Sequence, residues 1–140
     1  MATRNIVPRA DGEGSIGTAT KKWEYLRAEN IAVDNLVVEG GGILLYPTST
    51  KTEDYTLTTT DGVVLCDATS DAFQITLPTA VGISGRRYCI KKVDTTENAI
   101  TIEGPEAIDN LTNFELRNCW ACIIIQSNNV TWDIISVMNI

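Results

Sequence analysis

The chain contains no histidine. That absence removes the commonest general base and the commonest metal ligand, and it excludes any Ser-His or Cys-His nucleophile pair within the chain. Long apolar runs are missing too, and none of those present is long enough to span a bilayer. The opening Met1-Ala2-Thr3-Arg4-Asn5 lacks the apolar stretch of a secretory signal, so synthesis in the cytoplasm is expected. Positive charge is in deficit: the net charge is −7. Such a chain repels phosphates, which argues against a nucleic-acid partner. Helical periodicity is scarce as well. In residues 19–30, "ATKKWEYLRAEN", a helix would put Trp23, Leu26, Arg27 and Asn30 on one face, a poor apolar stripe. A strand reading of the same residues fits no better, so a short helix or an extended stretch is expected there.

What is present is first a glycine motif. Gly12-Glu13-Gly14-Ser15-Ile16-Gly17 has the G-x-G-x-x-G spacing of a dinucleotide-binding turn. That turn must follow a strand and open a helix within a βαβ unit. Here Pro8 interrupts the approach and no βαβ alternation follows. A glycine turn in an extended chain is the better reading, and no cofactor is expected. Three further glycines, Gly40-Gly41-Gly42, mark a hinge. They divide the chain into an N-terminal arm, 1–42, and a C-terminal block, 43–140.

The block reads as short strands separated by turns. "ILLY" stops at Pro47, and "DYTLT" puts Tyr55 and Leu57 on one face. "GVVLCD" follows the turn pair Asp61-Gly62. "FQITLP" alternates, with Phe73, Ile75 and Leu77 inward. "RRYCIKKV" comes next, then "NAITIEG", which is expected to end at Gly104-Pro105. "FELRN" precedes "WACIIIQS" and "VTWDIISV", which flank the hairpin-type turn Asn128-Asn129. Eight or nine strands, roughly 8–12 residues apart, predict an all-β sandwich or barrel-like domain, with pairing of antiparallel type.

Two of these strands are apolar on both faces: Val63-Val64-Leu65-Cys66 and Ala121-Cys122-Ile123-Ile124-Ile125. A strand buried on both sides needs a layer on each, and a partner subunit supplies one. Val64, Cys66, Ile123 and Ile125 are the candidate subunit-interface residues. The arm is also too apolar for a free tail and too short to fold alone, so it is expected to pack on something. Ile6, Pro8, Arg9, Ile16 and Trp23 are its candidate docking residues.

Catalytic and metal constellations are weak. Cys119-Trp120-Ala121-Cys122 is a C-x-x-C, but on a strand its two sulfurs point to opposite faces, and the cysteines are expected to be apolar thiols in a reduced chain. Asp61, Asp67 and Asp71, and Glu103, Glu106 and Asp109, lie at turns where solvated carboxylates are common. Arg86-Arg87 with Lys91-Lys92 reads as a solvated or intersubunit face. Trp120, Trp132, Tyr55 and Tyr88 could stack on sugars, but their strand positions favour packing.

Two stretches carry a resemblance. Ile6–Arg9, Asp11–Thr18, Lys21–Trp23 and Ala28–Ile31 match an apolar-Pro-Arg, Gly turn, Ser-[Ile/Leu]-Gly-Thr, basic pair and Trp pattern. It is similar to a segment near the start of tailed-bacteriophage fibre and baseplate-associated proteins. Asp54–Thr58, Asp67–Thr69, Ile75–Ala80, Tyr88–Asp94, Asn98–Ile102 and Trp132–Ile135 resemble a domain found at the ends of phage fibres. The resemblance implies a non-enzymatic homotrimeric fibre in the virion, on head or tail, docked through its arm to capsid, collar or baseplate. It leaves room for contact with a host-surface glycan, and involves neither nucleic acid nor membrane. The competing readings are a capsid decoration protein, a carbohydrate-binding module or lectin, and a glycan-cleaving enzyme.

Overall fold

The computed structural model describes residues 47–139. The glycine motif, the arm's candidate docking residues Ile6, Pro8, Arg9, Ile16 and Trp23, and the "ILLY" strand lie outside them. Among the described residues every regular element is a strand: β1 (Thr48–Lys51), β2 (Tyr55–Thr56), β3 (Val63–Cys66), β4 (Phe73–Thr76), β5 (Arg87–Lys92), β6 (Ile100–Ile108), β7 (Leu111–Leu116), β8 (Cys122–Ser127) and β9 (Trp132–Met138). The domain is all-β, as the turn spacing predicts.

The strands hydrogen-bond in the order β1-β3-β5-β8-β9-β6-β4-β2, with β7 added beside β6. The two ends of this path, β1 and β2, are consecutive in the chain and joined by the short Thr52–Asp54 link. The sheet therefore almost closes on itself as a barrel-like wall. Its corner between β9 and β6 is narrow, held by the single register pair Ile108 and Trp132.

Pairing differs from the antiparallel expectation. β1–β3, β3–β5, β2–β4 and β4–β6 are all parallel. From β1 to β6 the chain lays odd-numbered strands on one wall and even-numbered strands on the other, and each connection carries it across to the opposite wall. The usual long crossover of a parallel pair is here replaced by a strand of the other wall. A turn signal such as Asp61-Gly62 thus reports a reversal of the chain without naming the neighbour that the next strand bonds. Three pairs are antiparallel: β5–β8, and the two hairpins, β6–β7 through Asp109-Asn110, both at positive φ, and β8–β9 through Asn128–Thr131.

β6 also runs on past the expected stop. Its register shifts between Glu103 and Ile108, and Gly104-Pro105 falls inside that irregularity, where a residue lacking an N–H is tolerated. A Cβ on Gly104 would stand 3.0 Å from the Leu77 Cβ, so glycine lets the chain leaving β4 pass close beside β6 there.

The alternating inward residues form one core, built on Ile75, Leu77, Tyr88, Ile90, Ile100, Ile102, Ile123, Ile125 and Trp132. The Tyr88 and Trp132 rings lie 5.5 Å apart and tilted, and the Trp132 indole N–H donates to Pro78 O at 3.2 Å. Both rings are fully buried, which removes them from the sugar-stacking candidates.

Candidate functional site

Val64, Cys66, Ile123 and Ile125 are each fully buried in the chain's own core. As candidate trimer-interface residues they are corrected, since they have no surface to offer a partner. Parity along the same strands turns the alternate residues outward. Val63 stands beside Cys89, and Cys89 opposite Ile124; Leu65 stands beside Lys91, and Lys91 opposite Cys122. The row continues onto β9, where Cys122 faces Met138. Val63, Leu65, Cys89, Cys122 and Ile124 are all half-buried, and Met138 is 59% exposed. Three neighbouring strands therefore present an apolar band on the outside of the wall, in which Lys91 stands between Leu65 and Cys122.

The band has polar borders. At one end the Arg87 Nε donates to Gln126 Oε1 at 2.5 Å. Between them and Gly62 lies a cleft of about 210 Å3, lined by Val63, Cys89 and Ile124. At the other end Lys91 Nζ donates to Trp120 O at 3.3 Å and stands 6.0 Å from the Trp120 ring centroid. Trp120 occupies a turn at φ 63 and is 51% exposed. Within the band the Cys89 and Cys122 sulfurs are 3.6 Å apart. Cys119 sits in the turn before β8 and not on the strand, so the close partner of Cys122 is Cys89 rather than its C-x-x-C neighbour.

The basic cluster read from the sequence is dispersed. Arg87 and Lys91 border the band, Arg86 lies 4.9 Å from the Tyr88 ring centroid and donates to Asp61 O, and Lys92 is fully buried. Lys92 Nζ bonds Asp94 Oδ1 at 2.5 Å. Asp94 also accepts from the Ala68 N–H and from the Thr96 N–H and hydroxyl. Burial opposes the Asp94 charge, but the Lys92 ion pair and these donors outweigh it and hold the carboxyl well below its ordinary value. The network closes one end of the core; sequence reasoning overlooked it. Its signal was parity, because Lys92 follows Tyr88 and Ile90 on the inward face.

The other carboxylates serve the fold. Burial raises the Asp61 pKa, yet the Thr58 N–H, the Thr58 hydroxyl and the Tyr55 hydroxyl bring it below its usual value. Asp67 caps Thr69, Glu103 accepts from Gln74, Glu106 accepts from Thr79 and Ala80, and Asp109 accepts from the Ile134 N–H. Asp71 lines an open groove of about 340 Å3 with Glu53 and Asp54, at the same end as the Lys92 network. No cluster of three metal-ligating side chains occurs among the described residues. No protein-family model matches the chain, and no curated protein matches it.

Proposed function

We propose that the chain is a structural protein of a tailed-phage virion, a short homotrimeric fibre held together by the outer face of β3, β5 and β8. The observation that carries this reading is the apolar band of Val63, Leu65, Cys89, Cys122 and Ile124 on a wall whose inner face already supplies a full core. Water-facing sides of such walls normally alternate to polar, so a surplus apolar face favours burial against another surface. A second copy of the chain is the partner that presents a matching band. The number three, and the docking of Ile6, Pro8, Arg9, Ile16 and Trp23 onto capsid, collar or baseplate, rest on the resemblance to fibre proteins. In this reading the chain does no chemistry, needs no cofactor, and can present Trp120 to host-surface glycans.

Two measurements test the proposal. Density-banded particles made from the genome that encodes the chain are expected to contain it, by mass spectrometry of their protein. Ile16→Asp and Trp23→Asp chains are expected to keep the C-terminal fold and to be missing from the particles. Particles without the wild-type chain would refute the virion role; normal incorporation of both variants would refute the docking role.

A further inference from the structure

Cys89 lies on β5 and Cys122 on β8, which are antiparallel neighbours. Cys89 stands opposite Ile124, so Cys122 is one diagonal step away on the same outward face. The Cys89 N–H donates to Gly62 O on the β3 side. On the β8 side, Cys89 and Ile124 are therefore a pair without mutual hydrogen bonds, the kind whose side chains come closest. Strand twist then shortens one of the two diagonals, and the result is a sulfur-to-sulfur distance of 3.6 Å. The other two cysteines are placed differently: Cys66 is sealed on the inward face and Cys119 is in a turn.

We propose that Cys89 and Cys122 are a redox pair that closes to a reversible intramolecular disulfide on exchange with a small-molecule disulfide of the glutathione class. The thiolate of one of the two cysteines attacks one sulfur of the oxidant, expels one thiolate, and leaves a mixed disulfide on that cysteine. The other cysteine then loses its proton and attacks the protein sulfur of that mixed disulfide. This forms the protein disulfide and expels the second small thiolate. Two electrons pass from the protein sulfurs to the oxidant, and the two protein protons end on the released thiols. The sulfurs must close from 3.6 Å to a bond of about 2.05 Å, a movement within reach of side-chain rotation on adjacent strands. Burial first, then the Cys122 contact, pushes the Cys89 thiol up to about 11, so exchange is favoured at alkaline pH. Burial pushes Cys66 to about 12 and keeps it inert.

The test uses the full chain, dilute, at pH 8, equilibrated with oxidised glutathione. It is then quenched in acid, unfolded, alkylated and mapped by peptide mass spectrometry. The expected product joins Cys89 to Cys122, loses two hydrogens, and leaves Cys66 and Cys119 alkylated; dithiothreitol restores all four thiols. Cys89→Ser is expected to trap glutathione on Cys122 with no internal bond, while its circular dichroism stays that of the wild type. Four alkylated cysteines in the equilibrated wild type, or a bond between Cys119 and Cys122, would overturn the proposal. Solution mass on the same samples keeps this outcome separate from the assembly reading: the band is covered in the proposed trimer, so exchange is scored where the chain sediments as a monomer, and a monomer without the disulfide refutes only the redox pair.

Discussion

The two faces of the β3–β5–β8 wall are built from nearly the same residue types and meet different fates. Inward, Val64, Tyr88, Ile90, Ile123 and Ile125 are fully buried against the opposite wall. Outward, Val63, Leu65, Cys89, Cys122 and Ile124 stay half-exposed. The inner face is satisfied within one chain and should govern folding. The outer face has no such partner among the described residues, and in the proposed fibre it governs association. Each face can be damaged without touching the other, because parity keeps them apart.

The largest effect is expected from the inner face. Trp132→Ala removes a fully buried ring and its bond to Pro78 O, and should cost about 3–5 kcal/mol, read as a fall in the urea midpoint. Asp94→Ala follows closely, because it leaves Lys92 buried without its counter-charge; about 3 kcal/mol is expected at pH 7. The sign with pH is fixed by the direction of the shift. Asp94 titrates lower in the folded chain than unfolded, so its contribution is complete above about pH 4 and is lost as the pH falls towards the folded value. Wild type should therefore lose stability on acidification below about pH 4, and Asp94→Ala should lose less, keeping the slope that Asp61 and Asp67 supply in the same direction. Thermal melts between pH 7 and pH 2 check both statements. The smallest effect on the fold is expected from Ile124→Asp. It puts a charge on a half-exposed outward position, should change the melting midpoint little, and should abolish self-association.

Much of this was legible in residue alternation, and the exceptions have physical causes. Phe73, Ile75 and Leu77 point inward as their spacing predicts, because Gln74 and Thr76 between them are polar. In β3 and β8 both sets are apolar, so alternation alone does not tell the inward set, Val64, Cys66, Ile123 and Ile125, from the outward one. The deciding signal lay just beyond each apolar run. Asp67 shares parity with Val63 and Leu65, and Gln126 shares it with Cys122 and Ile124, which marks those faces as outward. β1, "TSTK", has no apolar pattern at all, being placed by its hydrogen bonds to β3 rather than by burial. The contact of Cys89 with Cys122 and the parallel pairings depend on which strands become neighbours, and period-two patterns carry no record of that.

The separation of the two faces is tested most directly by solution mass. Sedimentation equilibrium of the wild-type chain and of Ile124→Asp, at matched concentrations, measures it. The account predicts three chain masses for the wild type and one for the variant, with the same melting midpoint once both are compared as monomers. A wild-type chain that sediments as a monomer at every concentration would contradict it, as would an Ile124→Asp chain that still assembles.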